Sequence, residues 1–228
     1  MSTSASRRQE PTNVAADDTK DRVLAAAGPI FAERGFRDAT VREICSAAGV
    51  NIAAVNYHFG DKERLYIESV KRAHRLRMEQ VPIPEWPPGT PAAAKLQAFV
   101  NVFLRRVLAG DESDWTLQLM LREMAGPTAA CQELVRDYIR PHFEMLLGIL
   151  NELVPADMPA PVRHRLAFTV VGQCLHYRVA QPIVKLLISA DEYRTYDADL
   201  LAEHITRVTL GAVGAAPPLG SPAAGDSP

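Results

Sequence analysis

Long apolar runs are missing from this 228-residue chain. A membrane-crossing helix needs about 20 consecutive apolar residues, and the stretches Met145 to Leu150 and Ile183 to Ile188 are far shorter. The beginning of the chain, with Arg7, Arg8 and scattered polar residues, also lacks the apolar segment of a secretory signal, so a cytoplasmic protein with no membrane partner is expected. Cysteine is scarce. Cys45, Cys131 and Cys174 are widely spaced, without disulfide or metal-ligand rhythm, and are expected to be reduced thiols. The six histidines, His58, His74, His142, His164, His176 and His204, form no His-Glu-x-x-His pair. No Gly-rich phosphate loop occurs, and no Ser/His or Cys/His pairing suggests a nucleophile. No metal, no cofactor and no catalysis are therefore expected, and an all-helical enzyme remains the disfavoured alternative. Strand-type alternation is absent throughout, which leaves an all-α fold class.

What the chain does have is an uneven charge. Residues 1–80 hold 13 Lys and Arg against 11 Asp and Glu, whereas residues 81–228 hold 12 against 16, within a net charge of −2. A polyanionic partner therefore belongs with the first third.

Residues 1–17 are Ser, Thr, Ala and Gln rich without periodicity, and read as a disordered tail. From Asp18 to Arg34 the set Val23, Leu24, Ala27, Ile30 and Phe31 recurs at helical spacing, with Gly35 placed as its stop and Phe36 able to fold back on Phe31. Gly28-Pro29 lies inside that helix. An interior proline removes a backbone bond and crowds the preceding turn, so a bend near Ala25 is expected. Thr40 and Glu43 form a capping box that starts a second helix at Val41; Gly49 ends it, and Asn51 caps a third helix from Ile52 to about His58. Residues 65–80 continue as a connecting helix. Five prolines between Val81 and Pro91 then forbid helix and mark a linker at 81–91. Beyond it, helices are expected over about 92–109, 114–124, 128–154, 161–188 with a kink at Pro182, and 197–213. The Pro, Gly, Ala and Ser-rich residues 214–228 read as a second disordered tail.

Two short helices pivoting on a glycine, held by a helix on either side, are the grammar of a helix-turn-helix reader of double-stranded DNA over residues 18–64. A major groove about 12 Å wide admits one helix, provided its tip carries little bulk. Ala53 and Ala54 permit close approach, Ile52 offers an apolar edge for a thymine methyl, and Asn56 carries an amide able to pair with adenine. Tyr57, His58 and Lys62 supply groups of the kind that hold phosphates, and Arg42 can reach a guanine or a phosphate.

Phe31-Ala32-Glu33-Arg34-Gly35-Phe36, Thr40 to Ile44, Ala48-Gly49-Val50 and His58-Phe59-Gly60-Asp61-Lys62-Glu63, in this order and spacing, resemble the TetR family of bacterial transcriptional regulators. By that resemblance Arg42, Asn51, Ile52, Ala53, Asn56, Tyr57, His58 and Lys62 face DNA. Asn56 stands where most relatives have tyrosine, so base preference does not carry over. Asn51-Ile52-Ala53-Ala54 before Tyr57, together with Arg122-Glu123 and Pro127-Thr128-Ala129-Ala130, is similar to the CecR-type subgroup. The resemblance implies a homodimer with an effector cavity in a second domain over residues 92–213, and repression of a near-palindromic operator relieved by a small hydrophobic molecule. An activator with the same reader is the alternative. Trp115, Leu119, Met145 and Tyr177 are the adaptable apolar candidates for that cavity, and Gln118, Arg122, His142 and Gln173 the polar ones. The last two long helices are the expected dimer interface.

Overall fold

The computed structural model describes residues 12–216 except 84 and 112, with side chains from residue 17 onward. The described residues are helical without a strand. They form two compact units, one of residues 12–75 and 113–133, the other of residues 76–111 and 134–216.

In the first unit α1 spans Thr12–Asp38, so residues 12–17 of the expected tail are helical; residues 1–11 and 217–228 lie outside the described set. Backbone angles stay helical through Ala25 and Pro29, and the single departure is Gly35 at φ 78°, ψ 174°. The expected bend at Ala25 thus leaves no break in the helix. The stop at Gly35 is the sharp feature, where positive φ is open to glycine at little cost. Next come α2 (Val41–Ala48), α3 (Ile52–Phe59) and α4 (Lys62–Gln80). Thr40 Oγ1 accepts from Glu43 N at 3.2 Å and Asn51 Oδ1 from Ala54 N at 3.0 Å, so both short helices start on side-chain caps. They are too short to stand alone and are held by burial of Ile44, Cys45 and Ala48 on α2 and of Val55 and Phe59 on α3.

The helix α6 (Trp115–Ala125) packs on α1. Sequence order places it among the helices of the second domain, but its contacts group residues 113–133 with the reader. The cause is local chemistry: the Trp115 ring fills the space where a Cβ at residue 28 would stand, and Arg122 donates through Nε to Ala32 O at 2.5 Å and through Nη2 to Glu33 O at 2.6 Å, a cation on carbonyls near the end of α1. The glycine of the awkward Gly28-Pro29 pair is therefore a landing for an indole.

The second unit is built on α5 (Ala92–Leu108), which packs against α8 (Arg140–Asn151), α9 (Ala160–Val179) and α12 (Ala198–Ala212). Its core joins Leu96, Phe99 and Leu104 to Leu146, Leu150, Val170 and Ile205, each such side chain contributing about 1.5–3 kcal/mol by leaving water. The single helix expected over 128–154 is divided into α7 (Ala129–Leu134), a π-helical turn at Val135–Ile139 and α8. Pro141 has no N–H for the helical ladder. The backbone widens so that Arg140 N reaches Val135 O, and His142 Nδ1 meets Tyr138 O at 2.6 Å. Pro182 has a similar effect: the expected kinked helix is split after Val179, with α10 (Gln181–Leu187) following and a short α11 (Ala190–Arg194) beyond it. No described helix is long and apolar enough to cross a membrane.

Candidate nucleic-acid interface

The third helix turns Val55 and Phe59 inward and leaves the opposite face in solvent. Ile52 is 48% exposed and Tyr57 80% exposed, and Asn51, Ala53 and Asn56 are also exposed. Arg42 is exposed on α2, whereas His58 is half-buried, edge-on to Tyr57 with ring centroids 4.9 Å apart. A large phenol left in water on a helix this short is unusual for a packing residue and suits contact with a backbone phosphate. Lys62, expected to face DNA, also has partners within the protein. Its ammonium is half-buried, donates to Arg37 O at 3.1 Å and sits 5.0 Å from the centroid of the Phe36 ring, so its visible role is to tie α4 to the end of α1.

The pose of α3 depends on the turn before it. Gly49 sits at φ 64°, ψ 39°, the left-handed region, and its N–H reaches Ser46 O while Val50 N reaches Cys45 O. Arg22, from the distant α1, donates through Nη2 to Ala48 O at 2.7 Å and Gly49 O at 3.1 Å. It places a cation at the negative end of α2 and pins the pivot. Sequence patterning gave no sign of this, because Arg22 and its acceptors lie 26 and 27 residues apart. The ion pair of Arg34 with Glu43 at 2.7 Å adds a second tie between α1 and α2. A Cβ at Gly49 would come within 3.1 Å of the Arg22 guanidinium as well as straining the backbone. Gly49→Ala is expected to lower unfolding free energy by about 1–2 kcal/mol, with Gly49→Asn closer to the parent; urea denaturation with a circular-dichroism readout checks both.

The three cysteines are free. Burial raises the Cys45 thiol and pushes Cys174 up to about 12, which makes both poor nucleophiles at neutral pH. No group of His, Cys, Asp and Glu that could hold a metal ion occurs among the described residues.

The eight residues expected around an effector fall in both units. Trp115, Gln118, Leu119 and Arg122 belong to the first: Trp115 on Gly28, Leu119 fully buried, and Arg122 engaged with α1. His142, Met145, Gln173 and Tyr177 belong to the second. There the His142 ring is engaged with Tyr138 O, Gln173 Nε2 donates to Thr169 O at 3.4 Å, Tyr177 meets Tyr196 edge-on at 6.0 Å, and Met145 is at the surface. Neither unit brings all eight together.

A capped pair of short helices with an outward, nearly uncharged tip and an arginine-pinned pivot, in a chain that also holds a separate helical unit, defines a helix-turn-helix transcriptional regulator. Residues 92–213 match the family described as "HTH-type transcriptional dual regulator CecR, C-terminal domain", and residues 23–68 match "Bacterial regulatory proteins, tetR family". The chain belongs to the TetR family, in the branch with a CecR-type C-terminal domain. It is similar to the HTH-type transcriptional dual regulator CecR of Shigella flexneri, with 24% identity over 200 residues, 83% of this chain and 89% of that protein. Among solved structures it resembles a TetR-like transcriptional regulator from Rhodococcus sp. RHA1, at TM-score 0.58 and 17% identity over 87% of this chain and 97% of that one. A further likeness is to AibR in complex with isovaleryl coenzyme A and operator DNA, at TM-score 0.55 and 18% identity over 86% and 98% of the two chains. The family is one of regulators, not of enzymes.

Proposed function

We propose that this regulator binds a near-palindromic operator as a homodimer, places one α3 in each of two successive major grooves, and leaves the DNA when a small molecule enters its second unit. The observation that carries the DNA part is the outward face of α3, with Ile52, Ala53, Asn56 and Tyr57 free for the groove while Val55 and Phe59 anchor it. Asn56 reads a base, Tyr57 and Arg42 grip phosphates, and Asn51 and His58 flank the contact. Lys62 acts chiefly by positioning α4. One recognition helix covers only a few base pairs, which gives the two-fold pairing a physical motive. Its support is the apolar surface left on α9 and α10, where Phe168, Val179 and Ile183 are each more than half exposed; sedimentation of a monomer at micromolar concentration would exclude it. Operator DNA and isovaleryl coenzyme A in the AibR complex support an effector-controlled operator protein here. Repression is favoured, and the dual regulation named for the Shigella flexneri relative keeps activation as the second possibility.

The test begins with selection of a binding site from a randomised duplex pool. Asn56→Ala should then lose about 1–3 kcal/mol at one base position while keeping its affinity for random DNA. Equal losses on selected and random duplexes, measured by fluorescence anisotropy, would take Asn56 off the reading surface.

A further inference from the structure

Two guanidinium groups lie almost wholly buried in the second unit, Arg77 at 6% exposure and Arg106 at 7%. Arginine keeps its proton in proteins, and a buried charge without a partner is costly. The two residues meet that cost differently. Arg77 donates through Nη2 to the carbonyls of Arg106 and Ala109, at the carboxyl end of α5 where helix oxygens are left over and carry partial negative charge. Arg106 uses only its Nε, which donates to Val81 O at 2.8 Å. Among the described residues no carboxylate stands at its Nη1 and Nη2, and neither atom is sealed from solvent. Burial lowers its pKa from the ordinary arginine value. The same unit also buries Trp86 Nε1 and Thr206 Oγ1 without a protein partner. The Arg106 Nη groups therefore reach solvent from a side chain that is otherwise out of water, and no acceptor of the described residues engages them.

We propose that Arg106 anchors the anionic head of the effector, so that the molecule sensed is an organic oxyanion, a carboxylate or a phosphate. This rests on the effector part of the proposed function and narrows it to a chemical class. The end of a guanidinium offers two parallel N–H groups to two oxygens of one oxyanion, a geometry that an ammonium does not reproduce. An anion arriving there would pair with a guanidinium whose stem is out of water, where the attraction is screened less than on an open surface. Because Val81 O is held by the Nε of the same side chain, a ligand on the Nη atoms would act on the first residue of the linker that follows α4.

The experiment uses the full chain and three probes: octanoate, inorganic phosphate and the neutral octanol. Binding is followed by calorimetry and by the thermal unfolding midpoint for the parent, Arg106→Lys, Arg106→Met and, as an exposed neighbour, Arg105→Lys. A saturable rise in midpoint with octanoate or with phosphate is expected in the parent and in Arg105→Lys, and whichever probe acts identifies the head group. Arg106→Lys should bind at least about tenfold more weakly and Arg106→Met should show no saturable response. In anion-free buffer Arg106→Met should unfold at or above the parent's midpoint, since an apolar side chain replaces an uncompensated cation. No saturable anion effect in the parent, an equal effect in Arg106→Met, or a midpoint for Arg106→Met well below the parent would overturn the proposal. Release of the selected duplex by octanol, unchanged in Arg106→Met, would sink the anion anchor and leave the effector model standing. Anion uptake at Arg106 with no change in duplex affinity would instead remove the effector model.

Discussion

Replacing Glu123 with alanine should destabilise the reader by about 3–5 kcal/mol, through buried donors left without an acceptor at about 1–3 kcal/mol each. Glu123 is 3% exposed on α6. Its carboxylate accepts from Tyr66 Oη at 2.8 Å, from Thr128 N at 2.6 Å and Thr128 Oγ1 at 2.9 Å, and from Cys131 N at 3.1 Å. One side chain therefore joins α6 to α4 and caps the first turn of α7. Tyr66 is itself wedged between Phe31, edge-on at 5.0 Å, and Phe36 at 5.2 Å. Burial first, and the adjoining carboxylate second, raise the Tyr66 phenol far above its ordinary value, so it stays a neutral donor at every pH where the protein is used. Glu123→Gln keeps one acceptor oxygen and should cost roughly half as much. In a double-mutant cycle Tyr66→Phe should restore part of the loss in Glu123→Ala, because it removes one of the stranded hydroxyls. Denaturant unfolding of Glu123→Ala within about 1 kcal/mol of the parent would mean that water replaces the carboxylate and that the clasp has no structural weight.

Gly28→Ala carries the second large effect, and its sign runs against helix propensity. An alanine in mid-helix is normally favoured over glycine by about 1 kcal/mol. Here the added Cβ would lie 2.3, 2.6 and 2.8 Å from three atoms of the Trp115 ring, a flat and rigid group. Overpacking of that kind costs about 1–3 kcal/mol, so a net loss of stability is expected, with displacement of α6 from α1. Shifted Trp115 emission would report that displacement. Removing the ring should reverse the order: in a Trp115→Leu background, Gly28→Ala should become neutral or stabilising. A Gly28→Ala variant more stable than the parent in the presence of Trp115 would show that the indole moves aside freely. Both substitutions lie away from the outward side of α3, yet both should weaken duplex binding, since α1 and α4 are the frame on which α3 rests.

The parts of the reader that sequence made legible are those governed by interactions over three or four residues. Thr40 with Glu43, Gly49 as a left-handed pivot and Asn51 as the cap of α3 are chemically local, and their spacing could be read directly. The outward side of α3 followed from the same periodicity that buried Val55 and Phe59. The division at Pro182 was half legible, as a kink, and the one at Pro141 was not read at all: a proline announces a lost hydrogen bond, but whether the chain kinks, widens into a π turn or breaks depends on what packs beside it. The partners of Lys62 within the protein, Arg37 O and the Phe36 ring, were not legible because another helix supplies them.

Sequence by itself determined that the fold is helical, that a helix-turn-helix lies in the first third, and where its two short helices start, because capping and periodicity act between near neighbours along the backbone. Only the tertiary structure decided that α6 belongs with the reader, that Arg22, Arg122 and Glu123 hold that reader together, and that Arg106 is buried with no carboxylate of the described residues beside it. Those are relations between residues tens of positions apart. Packing brings them together, and no local pattern records which distant carbonyl a guanidinium will meet.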